Sequence, residues 1–419
     1  MGPAAAYLAA TRREMPAFLA RDHYRSIFDG LQTSLSSYGA TPEFDLTYSA
    51  ERTCETIRTG ERQIVIYDQY LGQTFNQLNR LHFNTTDPRE ARVYAYKIAA
   101  EFAQIDGQPR LGAVLAMAHV ASRDGTIGHR KDTDVAHRMR ITALQEAYVM
   151  AHEAFHTIVE RQVAWREQML RDARADFLKN FYLSAIIRLE EANHPDLDTI
   201  APMYLKQMEL FGSDDALVEE CLCDTLSMSV ICPHPDRNPS IGQVEEARDA
   251  IFFALRHLRL LALVRHAVHE RRPGFVANDA WLDPYLVRTQ FLQWALGQFP
   301  PLLALRTPEI VTRFELTQER YSKFVEDPIL FELPTAIAEY ANKVYPEAHE
   351  RELGDALTDT LLQHPEQAQR MSQLGEKFFI TDPELMSQEF YDTRLRALQA
   401  RMYEEKDAKS TADRASRPL

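Results

Sequence analysis

His152, Glu153 and His156 stand in the stretch Ala151-His152-Glu153-Ala154-Phe155-His156-Thr157, an H-E-x-x-H pattern inside an unbroken helical run. On a helix, residues four apart lie one above the other on the same face. The spacing therefore presents two imidazoles to one metal ion, zinc by the ligand types. It also sets the Glu153 carboxylate beside them as a base for a water at that ion. Two histidines leave such a site incomplete, because a catalytic zinc takes three protein ligands and keeps one position open. The helical stretch Asp214 to Val230 offers the missing ligand in Glu219-Glu220-Cys221-Leu222-Cys223-Asp224. Glu220 is the ligand that spacing favours, and Glu219 in the same turn is the competing choice. Asp224 shares the Glu220 face. It can accept a hydrogen bond from the far nitrogen of a metal-bound histidine and so fix its tautomer.

Together the two motifs, H-E-x-x-H at 152–156 and E-x-x-x-D at 220–224, resemble the gluzincin metallopeptidases, which include thermolysin and the CAAX prenyl endopeptidase group. The resemblance covers roughly residues 63–248, and the gap from His156 to Glu220 (220 − 156 = 64) is one that such folds accommodate. It implies a zincin-like core with a strand ahead of the first motif helix. It also implies zinc held by His152, His156 and Glu220, with Asp224 behind a ligand. Glu153 would be the catalytic base of a zinc-dependent endopeptidase that cuts a protein or peptide substrate. The prenyl-protease group carries a His-Pro and a downstream arginine near its site. His234-Pro235 with Arg237 or Arg248 is similar, which makes His234 a second candidate catalytic residue, although it follows Asp224 by only ten residues (234 − 224). Cys223 stands where that group often has alanine. The group's membrane helices have no counterpart here, so a membrane substrate does not carry over.

A rival metal site is written in the same region. Cys221, Cys223, Cys232 and His234 form C-x-C-x8-C-x-H, a ligand set suited to a structural zinc. A continuous helix would point Cys221 and Cys223 about 200° apart, at about 100° per residue, and small buried core residues are the plainer reading. Tyr148, one turn before His152, reads as core. His257, His266 and His269 lie on the helix that follows, where one of them could stabilise an oxyanion or all could be ordinary core and surface residues. The alternative to an enzyme is a helical interaction or regulatory protein that keeps a zincin-like core and a structural zinc. Glu153 favours the enzyme, since a structural metal needs no base.

The elements that must position these residues are mostly helical, and the fold class expected is mainly α with a small β-sheet. Gln63 to Tyr67 is the clearest strand. Thr41-Pro42-Glu43 reads as a helix start, and Asp87-Pro88-Arg89-Glu90 as another that runs to about Gln104. Arg110 to Ala121 is apolar enough for helix or strand. The charged stretch Arg123 to Asp134 is a connector or a substrate lid. From Val135 the motif helix continues past Trp165, and the prolines of Cys232 to Pro239 end the next helical region. The organisation expected is an N-terminal helical segment (1–60), a metallopeptidase core (61–272), a C-terminal helical region (273–403) and a disordered tail (404–419).

Composition bounds the rest. The chain has 419 residues, 45% of them hydrophobic, and only 15 glycines, which suits a large helical core. A net charge of −14 disfavours non-specific nucleic-acid binding, which needs clustered Lys and Arg. Cys54, Cys221, Cys223 and Cys232 are too few for a disulfide scaffold and suit a reducing compartment. Residues 1–20 carry Arg12, Arg13 and Glu14 where a secretory signal would be apolar, and no stretch is long and apolar enough for a membrane span. A soluble cytoplasmic protein is expected. The sequence does not fix the oligomeric state.

Overall fold

The strand signal at residues 63–67 is apolar at consecutive positions rather than alternate ones, and such a strand needs cover on both faces. The computed structural model describes residues 21–47, 49, 51–59, 62–123, 134–233, 239–271, 283–296 and 307–344. In it this strand is the centre of a three-stranded sheet ordered β1-β3-β2. β1 is Glu43–Thr47, β2 is Cys54–Thr59 and β3 is Arg62–Asp68. β1 runs parallel to β3, with Phe44 opposite Val65, and β2 runs antiparallel to it, with Thr56 opposite Val65. Every β3 residue from Gln63 to Asp68 is buried.

β1 corrects the sequence reading, which begins a helix at Thr41-Pro42-Glu43. Phe44 and Leu46 are both buried, a period of two that suits a strand with one face on the core. Pairing with β3 outweighs the local cap signal. The segment before it is helical as expected, as α1 (Arg21–Ser37).

Asp68 ends β3 and opens the next helix. Its fully buried carboxylate accepts from the backbone N–H of Tyr70, Ser49 and Arg52 and from the Ser49 hydroxyl. α2 (Gln69–Asn84) and α3 (Arg89–Ile105) follow. The ambiguous stretch near Arg110 is helix α4 (Pro109–Arg123). Of the charged stretch Arg123 to Asp134, read as a connector or a substrate lid, residues 124–133 lie outside the described residues.

The motif helix, α5 (Val135–Arg161), starts on an Asp134 cap and is 27 residues long, about 40 Å at about 1.5 Å per residue. It ends at Gln162, earlier than the pattern suggests, and α6 (Val163–Phe177) leaves in a new direction. A π-helical turn, Leu178–Leu183, leads to α7 (Ser184–Glu191) and α8 (Leu197–Ser213). α9 (Asp215–Ile231) carries the second motif, and α10 (Ile241–Glu270) begins with a Ser240–Gln243 capping box. α11 (Pro284–Leu296), α12 (Pro308–Tyr321), the π-helical turns Ser322–Glu326 and Pro328–Glu332, and α13 (Leu333–Val344) complete the described chain.

α5 is the axis of this arrangement. It packs against α1, α2, α9, α10 and the sheet, so most of its surface is buried. Helices from both sides of residue 272 share its surroundings, because α11 packs on α9 and α10. The described residues belong to one compact unit spanning Met1–Ala348. A second unit, His349–Leu419, lies outside them, as do the end of the expected C-terminal helical region and the tail from 404. Among the described residues no helix is long and apolar enough to cross a membrane.

Candidate metal centre

Helix periodicity brings His152 and His156 to the same side of α5, and α9 crosses there with Glu220. The His152 and His156 Nε2 atoms are 3.2 Å apart. The Glu220 carboxylate oxygens lie 3.1 Å from His152 Nε2 and 3.3 Å from His156 Nε2. A tetrahedral metal with bonds of about 2.0–2.1 Å has ligand-to-ligand edges of about 3.3–3.4 Å. The donor atoms therefore already stand close to the spacing that a single small ion requires. Among the described residues they are the one His/Cys/Asp/Glu group whose donor atoms converge within 4.8 Å.

Glu219, the competing ligand, is turned elsewhere. Its Oε1 is 3.4 Å from the far nitrogen of His156, Nδ1, and its Oε2 accepts from Arg166 at 2.8 Å. Asp224 is fully buried and meets the other histidine, its Oδ1 2.9 Å from His152 Nδ1. This is ion-pair distance, but the angle is off the line of a well-formed hydrogen bond. A carboxylate there favours a proton on Nδ1 and leaves the Nε2 lone pair for a metal.

Arg288 is not among the residues that the sequence motifs single out. It comes from α11, is only 7% exposed, and donates to Asp224 through Nε at 2.8 Å and NH2 at 2.7 Å. Its NH1 is 2.9 Å from Glu220. Tyr148, correctly read as core, also donates its hydroxyl to Asp224 at 2.6 Å. Burial pushes the Asp224 carboxyl upward, but Arg288 and His152 outweigh it and hold it well below the usual carboxylate range. Glu220 is likewise held low against burial, by His152, His156 and Arg288. The one signal that could have revealed Arg288 is a single charge on the otherwise apolar face of Val287, Phe291, Leu292 and Ala295.

No protein-family model, curated protein or solved structure matches the chain. What the site can do must therefore be read from its own chemistry.

Glu153 differs from the other acids. No described residue pairs with its half-buried carboxylate, and burial raises its pKa, offset in part by His152 and His156. Its backbone carbonyl accepts from Thr56 of β2 at 2.7 Å, which ties the edge strand to the helix beside it. A cavity of about 310 Å³ opens beside Glu153, His152 and Glu220. Val149, Phe102, Leu258 and Leu261 give it apolar walls, and Arg52 and Arg265 stand among its charged lining. Arg52 is held there in the left-handed region (φ 56°), which favours glycine, by its buried pair with Glu101 and the Asp68 cap.

The other sequence candidates among the described residues do not join these donors. His257 is buried against Phe75 and Tyr321, with Gln145 at 3.4 Å from its Nδ1, and does not line the cavity. His266 and His269 are exposed on α10. Arg248 stacks on Phe314 at 4.2 Å. His234 and Arg237 lie outside the described residues. α9 is continuous through Cys221 and Cys223, so they diverge. Cys223 Sγ sits 3.6 Å from His156 Nδ1, and burial pushes its thiol up to about 11.

Proposed function

We propose that the protein is a zinc-dependent peptidase of gluzincin type, with His152, His156 and Glu220 as the metal ligands and Glu153 as the general base. The observation that carries this reading is the Glu153 carboxylate: unpaired among the described residues, shifted upward by burial, and open to a cavity beside three converging metal donors. A structural metal site has no use for such a group or such a space. Zinc held by these donors would polarise the scissile carbonyl and lower the pKa of the attacking water.

The chain's own residues supply the rest. Glu153 takes the proton of the attacking water and returns it to the leaving amine, work for which an upward-shifted carboxyl is suited. Asp224 keeps the His152 proton on Nδ1. Arg288 neutralises Asp224 and Glu220, so both stay ionised inside the protein. The apolar walls at Phe102, Leu258 and Leu261 receive part of a protein or peptide substrate. The four free cysteines suit a reducing compartment, and we assign the protein to the cytoplasm.

The test is Glu153→Gln assayed on a mixed peptide library with zinc-loaded protein. The variant should bind zinc as the wild type does and lose cleavage by about 10²-fold or more. Equal cleavage by both proteins would sink the proposal.

A further inference from the structure

The Asp224–Arg288 pair behind His152 has a counterpart behind His156. Glu219 Oε1 stands 3.4 Å from His156 Nδ1, and Glu219 Oε2 accepts from Arg166 Nε at 2.8 Å, with Arg166 NH2 at 2.6 Å. On the other side, Asp224 Oδ1 stands 2.9 Å from His152 Nδ1 and pairs with Arg288. Each imidazole that faces the metal position thus backs onto a carboxylate, His156 with the Cys223 thiol also 3.6 Å from its Nδ1, and each carboxylate backs onto an arginine.

Resting on the metal-site reading above, we infer that Glu219 and Arg166 form a positioning pair for His156, through which α6 controls metal affinity. Glu219 fixes the proton on His156 Nδ1 and leaves Nε2 as the donor. Arg166 fixes Glu219. Without that arginine, the Glu219 carboxylate is free to turn toward solvent or to compete with Glu220 at the metal.

The chain path makes the arrangement possible. α5 stops at Gln162, and α6 leaves at an angle that returns Arg166, ten residues past His156 (166 − 156), to the side of α9. A straight continuation of α5 would carry position 166 about 15 Å beyond His156, at about 1.5 Å per residue. The early end of the motif helix is therefore part of the site. Glu219 and Arg166 are not fully enclosed, with side chains 16% and 32% exposed, so replacing either leaves no deeply buried orphan charge. That separates their role from Arg288, whose loss would disturb folding as well.

Removal of a partner behind a metal ligand weakens binding by about 10- to 100-fold. The experiment is zinc competition against a fluorescent chelator for the full-length wild type, Arg166→Met, Glu219→Gln and Arg166→Lys. Visible spectra of the cobalt-substituted proteins are recorded in parallel. Arg166→Met and Glu219→Gln should each lose zinc affinity by about 10- to 100-fold and shift the cobalt bands. Arg166→Lys, which keeps a charge but not the two-nitrogen grip, should recover part of the loss. Affinity within about twofold of wild type and unchanged cobalt bands in both variants would overturn the inference. A wild type that binds zinc without dependence on His156 would instead overturn the metal-site reading itself, and the two failures are distinguishable.

Discussion

Arg288→Met isolates the electrostatic centre of the site. Asp224 has no solvent exposure, and its charge is met by Arg288 through two hydrogen bonds, by Tyr148 and by His152. Methionine fills much of the same volume but leaves the carboxylate buried without its main partner. Removing one member of a buried ion pair costs about 3–5 kcal/mol. The second contact of Arg288, to Glu220, adds less, because that carboxylate is 35% exposed and keeps its histidines. Urea denaturation of chelator-treated protein near neutral pH should therefore show a loss of about 3–5 kcal/mol. Asp224→Asn added to Arg288→Met removes the orphan charge, so the double variant should lose less than the sum of the singles, with a coupling of about 0.5–3 kcal/mol. The pH dependence carries a sign. The wild-type Asp224 carboxyl lies below its unfolded value, so its contribution is present above that value, about 3.9, and is lost as pH falls through the lower folded one. In Arg288→Met the folded value rises, and the deficit shrinks as the pH falls toward it. A single variant within about 0.5 kcal/mol of wild type, or strict additivity in the double, would refute the reasoning.

Two further outcomes follow from the same burial arguments. His82 is driven down to about 3 by burial, with Arg320 and Arg256 adding to the effect, and buried His257 is lowered in the same direction. The unfolded chain then takes up their protons first. Stability should fall by about 1.4 kcal/mol per pH unit for His82 below about pH 6.5, and His82→Leu should flatten that slope in urea titrations. A Cβ on Gly72 would overlap the Glu146 carboxylate and come within 2.8 Å of the Tyr24 hydroxyl and 3.0 Å of the Tyr67 hydroxyl. Gly72→Ala should cost about 1–3 kcal/mol in the same assay, and an unchanged midpoint would contradict the packing described.

The donor set was legible because helix geometry turns a spacing of four into a shared face. This holds for His152 with His156 and for Glu220 with Asp224. The mainly helical fold and β3 were legible for similar reasons of periodicity. β1 departs from its reading because Pro42 and Thr41 carry a helix-start signal, while pairing with β3, 21 residues on (64 − 43), decides the outcome. β2, Cys-Glu-Thr-Ile-Arg-Thr, has too few apolar residues to stand out as an edge strand. Of the arginines behind the site, Arg288 left only one charge on an apolar helix face as a signal, and Arg166 left none. Arg166 reaches Glu219 across 53 residues and Arg288 reaches Asp224 across 64, and no local pattern encodes a contact made by helix packing. Nor does spacing tell Glu219 from Glu220. The difference lies in which nitrogen each carboxylate meets.

X-ray absorption at the zinc edge of the purified, zinc-loaded protein tests the central claim most directly. The account predicts about one zinc per chain with only nitrogen and oxygen neighbours at about 2.0–2.2 Å, two of them imidazoles, and loss of that signal in His156→Ala and Glu220→Gln. Sulfur neighbours at about 2.3 Å, retained in those variants and lost in Cys221→Ser or Cys232→Ser, would contradict it.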